Sequence, residues 1–506
     1  MIENSASFKY EDLVSLFGHN NLLNIDENFT NNRVITDSRE VKQGDIFIAL
    51  VGERIDAHSK VYEAHQNGAV AIVVNFSWYL AEKSINLDKI ANLPLILIDN
   101  SLAALGLLAH KHRMKFNIPV VAVAGSNGKT TTKEMITAVL SKKYNVLSTY
   151  KNFNNQIGVP LMLLSMNETH QAAVIEIATN SHGEIFTLAN ILAPKYGVIT
   201  NIGKEHLEIL EDLDGVEMEE TSLFAYIRKH LGYAFINADD DRLLKYAGLF
   251  ENKMVYGTNS VSELLATIKF DENLYANIKL DHSGSNYEYN LNVVGLGNAY
   301  ASIVAFGIGY RLDIEIADII AALEGFTVDE SSNYGRMRIE NYKLANSFDK
   351  LTIINDCYNA NPSSMELALN TVASVKSNYS QTICVLGEML ELGAAGFEEH
   401  IELIKNAVKQ GDLVYLYGNE FVNSFNSIND NDELSASDLA KIIYFDDKVD
   451  LTNSLIETLS IPLTKNTDNS NNGIEYIGRR LLLVKGSRGN RLEEVINYLK
   501  ESNLIS

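Results

Sequence analysis

The chain has few cysteines, a shortage of positive charge and no long apolar run, and each lack closes off a class of function. Two cysteines in 506 residues, Cys357 and Cys384, cannot build a disulfide framework. No metal-ligand spacing surrounds them, so both read as small buried core residues. Lys and Arg total 42 against 65 Asp and Glu, a formal charge of −23. An acidic surface of that size repels phosphate backbones and anionic lipid, which argues against broad binding of nucleic acid or membrane surfaces. A local basic cluster can still take a small anionic substrate. No segment reaches the ~20 apolar residues of a membrane helix. The first residues, MIENSASFKYEDLV, carry acidic side chains and lack an apolar signal core. The expectation is a cytoplasmic protein without membrane insertion.

What is present is ordinary globular composition, 46% hydrophobic and 21% charged. A single core stops growing at about 250–300 residues, so two or three domains are expected. No internal repeat has solenoid spacing. Three blocks stand out: 1–115, 116–328 and 329–506. In the first, short β-like runs (Val34–Thr36, Ile46–Leu50, Val70–Val74, Leu95–Ile98) alternate with helix-like stretches such as Lys60–Asn67, the pattern of a small α/β domain. The second opens on VVAVA at 120–124, followed by a Gly-containing turn, a helix over Thr131–Leu140, and further apolar runs at Ala172–Ile175 and Tyr196–Ile199. Continuous apolar strands separated by helices indicate a parallel sheet covered on both faces. Alternation over Thr267–Val294 predicts a hairpin insertion. The third block begins near Ser331–Asn333, with strand-like runs at Leu351–Ile354, Thr382–Leu386, Leu413–Tyr417 and Arg480–Val484 that predict a Rossmann-like, doubly wound domain. Between Asn426 and Asn472 the wealth of Asn, Asp and Ser reads as solvated loop. The fold expected is α/β with three domains, a central phosphate-loop sheet domain lying between a small α/β domain and a Rossmann-like one.

The sharpest signal is VVAVAGSNGKTTTKEM. A buried strand delivers the chain to Gly125, Ser126, Asn127, Gly128, Lys129, Thr130 and Thr131, and a helix follows at once. Glycines let backbone N–H groups turn toward an anion, and the helix N-terminus adds its positive dipole end. Lys129 then reaches the terminal phosphates, and the hydroxyl of Thr130 or Thr131 takes Mg²⁺. The pattern is the short variant GxxGK[ST][ST], because Val123 stands where the longer motif has its first Gly. An ordinary strand–helix turn is the bland alternative; the flanking strand and helix favour a nucleotide. Glu176 ends an apolar run, where it is either a solvated strand-end acid or a carboxylate facing the ligand crevice.

Around the loop, TDSREVKQGDIFIALVGERIDAH (36–58), TYKNFNNQIGVP (149–160), TNIGKEHLE (200–208), INDCYNANPSSM (354–365), VLGEMLELG (385–393) and VKGSRGNRLE (484–493) follow one another. In that order they resemble the Mur ligase family, which builds the peptide of the bacterial cell wall, and in particular its member that adds the last dipeptide. The resemblance implies ATP-dependent joining of D-alanyl-D-alanine to UDP-N-acetylmuramoyl-tripeptide through an acyl phosphate, with ATP and Mg²⁺ required and a monomer expected. It further implies roles for particular residues. Glu176 and His206 match the metal-binding Glu and His. Asn298, Arg336 and Asp356 match nucleotide contacts. Ser38, Arg39, Asp56 and His58 match the UDP-binding segment, and Asn152, Asn154 and Asn155 the peptide-side loop. Asn359 and Asn361 line the site, and Lys485, Ser487 and Arg488 form a basic loop suited to an anionic substrate.

Two departures accompany the likeness. The family carries a lysine about fourteen residues after the metal His, and CO₂ carbamylates it. Here the corresponding position is Glu220, so an encoded carboxylate stands in for the carbamate. Glu217, one helical turn earlier, shares its face, and a solvated acidic helix is the alternative. In GLGNAYASIVA (295–305) the family's His and second Asn are Gly297 and Ala301, which leaves the adenine contacts open. A related ligase with another amino-acid donor and a nucleotide-binding homologue that has lost ligation are the competing readings.

Overall fold

Apolar runs without alternation become the central strands of three successive sheets. The computed structural model describes all residues except 1–3, 53–54, 272–273, 328–336, 346–348, 432, 464–477, 503 and 506. The first sheet has five strands, in the order Leu22–Leu23, Leu95–Ile98, Ala71–Asn75, Ile46–Ile48, Val34–Ile35, antiparallel only at the first pair. The two-residue strand at 22–23 is too short to leave a sequence signal. Helix Ser101–Arg113, capped by the Asn100 side chain accepting from the Leu102 N–H at 2.9 Å, packs against helices Gly158–Leu164 and Glu184–Leu192 of the second sheet. One hydrophobic core therefore runs continuously beneath the first two sheets. Arg113 ties the same seam through its buried guanidinium, which donates to the Leu192 and Phe116 carbonyls at 3.2 and 2.6 Å.

The nine-stranded second sheet places strand Val120–Ala124 between Tyr196–Ile199 and Ala172–Glu176, all parallel. Every residue of Val120–Ala124 is buried, as a strand covered on both faces requires. The alternating stretch 267–294 does form antiparallel strands, Leu264–Phe270, Tyr275–His282 and Ser285–Val294. It is an extension of the main sheet rather than a separate insertion, because Leu264–Phe270 pairs in parallel with Lys253–Gly257. Its alternate residues Leu264, Ala266, Ile278, Leu280, Tyr289 and Leu291 are buried, and helices Leu296–Arg311 and Ile316–Glu324 pack over these strands.

The third sheet has six strands, in the order Arg338–Lys343, Lys350–Asp356, Arg479–Lys485, Gln381–Gly387, Leu413–Tyr417, Ile442–Phe445, antiparallel only at the first pair. The loop expected from Asn426 onward is corrected by helix Glu420–Asp430, strand Ile442–Phe445 and helix Lys448–Ser460. Phe421 and Ile428 on the first helix and Leu451, Leu455 and Leu459 on the last are buried, so the polar residues only coat the outer faces. Some of them are caps: Ser435 Oγ accepts from the Asp438 N–H and Asp447 Oδ1 from the Val449 N–H. The KNTDNSNNG stretch, from 465, lies outside the described residues.

Helices Lys129–Leu140 and Leu296–Arg311 approach through Gly309, where an added Cβ would meet Val139 Cγ1 at 2.6 Å and Ile319 Cδ1 at 3.0 Å. Ala in place of a mid-helix Gly normally stabilises by about 1 kcal/mol. Here overpacking outweighs that gain, so Gly309→Ala is expected to destabilise by a net ~1–2 kcal/mol, read as a lowered urea midpoint. A rise in the midpoint would show that the helices separate without cost.

Candidate functional site

Strand Val120–Ala124 ends at Gly125, whose φ of +109° is open to glycine. A Cβ there would stand 2.3 Å from Thr200 Oγ1, so the loop lies directly on the segment following strand Tyr196–Ile199. Ser126 Oγ donates to the Gly203 carbonyl at 3.0 Å and accepts from its N–H at 2.8 Å. Asn201 brackets Asn127, with Oδ1 accepting from its N–H and Nδ2 donating to its carbonyl. Gly128, at φ +80°, turns the chain into helix Lys129–Leu140, with Thr130 and Thr131 in its first turn.

The Lys129 ammonium donates to the Gly125 and Ser126 carbonyls at 2.5 and 3.1 Å and lies 3.6 Å from Glu205 Oε2. Burial works against its charge, but Glu205, Glu220 and Glu176 outweigh burial and raise its pKa. All three carboxylates are buried: Glu176 is 3%, Glu205 6% and Glu220 0% exposed. Glu220 Oε2 accepts the Gly125 N–H at 2.6 Å. Glu176 Oε1 accepts from Asn154 Nδ2 at 2.8 Å, and its N–H donates to Thr149 Oγ1 at 2.8 Å. One oxygen on each (Glu176 Oε2, Glu205 Oε1, Glu220 Oε1) has no hydrogen-bond partner. Burial pushes the Glu220 carboxyl up to about 8 against the opposing charge of Lys129, with Glu205 adding to the rise.

Helix Leu213–Glu220 resolves the choice between its acids. Glu217 turns away to Lys245, Arg242 and Tyr246; these hydrogen bonds outweigh its burial and hold its pKa low. Glu219 accepts the Gly183 and Ile185 N–H groups at the start of helix Glu184–Leu192. Glu220 alone of the three meets the phosphate loop, and the solvated-helix alternative falls because all three are buried.

The third sheet contributes across a direct contact. Asn361 Nδ2 donates to Asn127 Oδ1 at 3.1 Å, and Ser363 Oγ accepts the Lys204 N–H at 2.9 Å. Asp356 pairs with Lys485 at 2.6 Å and accepts the Met337 N–H; Lys485 also donates to the Asn359 carbonyl. A cavity of about 120 Å³ opens between the lobes, lined by Glu205, His206, Asn359, Asn361, Ser487 and Arg488. His206 Nδ1 lies 3.5 Å from Glu391 Oε2, and Arg488 pairs with Glu493 at 2.6 Å.

Other residues singled out from the sequence are engaged locally. In the first lobe Arg39 lies on Asp37, and Ser38 Oγ donates to Glu63 at 3.3 Å. His58 is buried, with Nε2 accepting the Asn75 N–H, so its Nδ1–H points at Asp56 Oδ1, 2.6 Å away. Asn155 Oδ1 accepts the Gly158 N–H, Asn152 is exposed, and Asn298 Nδ2 donates to the Val294 carbonyl. Arg336 lies outside the described residues. Glu205 escaped the sequence reading; its only signal was adjacency to His206.

Residues 123–309 match the Mur ligase middle domain, and residues 335–461 the Mur ligase glutamate ligase domain. A Bacillus subtilis protein named UDP-N-acetylmuramoyl-tripeptide–D-alanyl-D-alanine ligase is 32% identical over 476 residues, 93% of each chain. The chain belongs to the Mur ligase family. It is accordingly an ATP-dependent ligase that forms a carbon–nitrogen bond. An Escherichia coli relative of the same name is 28% identical over 473 residues, 93% of this chain and 94% of that one. Among solved structures, MurF from Acinetobacter baumannii superposes with a TM-score of 0.78 at 26% identity, covering 99% of this chain and 100% of that one. MurF from Thermotoga maritima in complex with ADP gives 0.74 at 24%, over 93% and 97%, a likeness of fold.

A Mur ligase with this site has hard oxygen donors suited to a divalent cation, namely three buried carboxylates each with an unpartnered oxygen. Among the described residues no three His, Cys, Asp or Glu side chains already converge to enclose one; the cation they face is Lys129.

Glu220→Ala leaves the buried Gly125 N–H without an acceptor, a loss of about 1–3 kcal/mol in chemical denaturation, whereas Gln retains the acceptor. Because the folded carboxyl titrates above its unfolded value near 4.5, its stabilising contribution is full below about pH 4.5 and lost as pH rises through about 8. Glu220→Gln should remove that part of the slope; an unchanged pH profile in the nucleotide-free protein would contradict the buried setting.

Proposed function

We propose that this Mur ligase joins D-alanyl-D-alanine to UDP-N-acetylmuramoyl-tripeptide with hydrolysis of ATP to ADP and phosphate, completing a cytoplasmic peptidoglycan precursor. The observation that carries the proposal is the phosphate loop ringed by Glu176, Glu205 and Glu220 and touched by the third lobe through Asn361. A nucleotide on one lobe and an acceptor peptide on another meet at that contact. The relatives' shared name supplies the substrates.

A carboxylate is a poor electrophile, so a leaving group must first be installed. The γ-phosphoryl group passes to the peptide's terminal carboxylate oxygen and ADP departs. The dipeptide's amine then attacks the acyl carbon, loses a proton, and phosphate leaves. Such transfer depends mainly on fixed cationic and N–H donors. Gly125 to Thr131 cradle the phosphates with Lys129 as the mobile cation, and Asn298, Arg336 and Asp356 hold the rest of the nucleotide. Thr130, Glu176, His206 and Glu220 would hold Mg²⁺, which when bound neutralises charge on the phosphate oxygens. Ser38, Arg39, Asp56 and His58 receive the UDP end. Asn152, Asn154 and Asn155 line the peptide side, and Asn359, Asn361, Lys485, Ser487 and Arg488 receive the anionic end of the substrate. The lobes are divided as 1–115, 116–328 and 329–506, and the chain works as a monomer.

ADP release should require both the nucleotide-linked tripeptide and D-alanyl-D-alanine, and Lys129→Ala should lower turnover on the order of 100-fold. With Glu220 encoded in place of a carbamate, turnover should persist after stringent removal of CO₂. A bicarbonate requirement sinks that substitution, and a well-folded chain inactive with both substrates sinks the assignment. A better rate with single amino acids than with the dipeptide would favour the other-donor reading.

A further inference from the structure

Three consecutive residues connect the third lobe to the phosphate-loop lysine. Lys204 faces the third lobe twice: its N–H donates to Ser363 Oγ at 2.9 Å, and its ammonium pairs with Glu399. His206 faces it once, 3.5 Å from Glu391. Between them Glu205 points the other way, into the central lobe, where Oε2 lies 3.6 Å from Lys129 Nζ. The backbone here has little slack, since Gly203 is pinned to Ser126 and a Cβ on it would meet Ser363 Oγ at 2.5 Å. A shift of the third lobe therefore moves 204 and 206, and Glu205 must follow.

Lys129 is the element with somewhere to go. Its ammonium is held by two carbonyls of its own loop, and those bonds must break before it can reach a bound phosphate. Among the described residues Glu205 is the carboxylate within ion-pair distance of it, and its second oxygen, Oε1, is buried and unpartnered. A charge in this position competes with the loop carbonyls for the ammonium, and its strength depends steeply on distance in so poorly hydrated a setting.

We infer that Glu205 is a positioning residue for Lys129, and that docking of the third lobe through Lys204–Glu399 and Ser363 sets its place. The lysine is thus brought into working position only when the two lobes that carry the substrates have met. The inference rests on the proposed ligation only for its kinetic test.

The test compares Glu205→Gln, Glu205→Asp, Glu399→Gln and the Gln/Gln double variant. Glu205→Gln keeps side-chain volume and is expected to lower kcat roughly 10- to 100-fold, the range for a misplaced catalytic group, while the Kd for ATP changes less than about threefold. Glu205→Asp should recover part of the loss. Glu399→Gln, remote from the loop, should lower kcat in the same direction, and the double variant should be no worse than Glu205→Gln, as for residues acting in one chain of contacts. A substrate-free readout stands beside these: acylation of Lys129 by a mild reagent, followed by mass spectrometry. It should rise roughly threefold or more in both Gln variants as the ammonium loses its hold. Multiplying kinetic effects, or unchanged Lys129 labelling in Glu399→Gln, overturns the inference. So does a Glu205→Gln rate restored by raising Mg²⁺, which would make Glu205 a metal ligand. If the wild-type chain fails to ligate, the function falls, yet the labelling comparison still decides the coupling.

Discussion

Lys129 places one half-buried ammonium opposite the buried Glu176, Glu205 and Glu220, and that imbalance governs the centre of the molecule. Removing a carboxylate from water costs several kcal/mol unless partners are supplied. Some are present: Asn154 on Glu176, the Gly125 N–H on Glu220, and Lys129 for all three. They leave three oxygens unmet, and burial lifts the Glu220 carboxyl toward neutrality. A polyphosphate brought to Lys129 adds more negative charge, so the same arrangement can accept it only along with positive charge.

The sheet exists to hold this imbalance in register. Strands Val120–Ala124, Ala172–Glu176 and Tyr196–Ile199 are adjacent and parallel, so their carboxyl ends emerge side by side. One delivers Gly125, the next ends on Glu176, and the third leads to Thr200 and Asn201, against which the loop is clamped. Their near-continuous burial is what makes the positions of those ends rigid.

The same burial made the strands readable. VVAVA has no polar residue to confuse a two-faced core strand, and the loop glycines announce the turn that follows. Glu220 was readable only as a position after His206. What separates it from Glu217 is Arg242 and Tyr246, 25 and 29 residues from Glu217 along the chain, which claim that acid through tertiary contacts. Glu205 was invisible for a related reason, since its partner Lys129 lies on another strand–helix unit. The Asn- and Ser-rich stretch after 426 misled because composition reports the wet face of a helix. The few apolar residues such as Phe421, Ile428 and Leu455 decide whether there is one.

Loss of the family's His and Asn at Gly297 and Ala301 looks like decay when read along the sequence, and packing argues otherwise. A Cβ at Gly297 would lie 3.3 Å from Leu367 Cδ2, on the third-lobe helix Pro362–Val375, whose first residues carry the Lys204 contact. A histidine there would require the Leu367 side chain to give way. Ala301 is 2% exposed within the core beneath the second sheet, and a larger polar side chain would need both room and partners there. The missing side chain at Gly297 lets helix Leu296–Arg311 sit close to the third lobe, while the small Ala301 suits the core beneath the second sheet. Two of the departures, Gly297 and Glu220, thus fall where lobe meets lobe and where charge meets the loop. A chain that had merely lost its activity would have no physical reason to place an acid at 220 in hydrogen-bond contact with Gly125 while clearing space at 297.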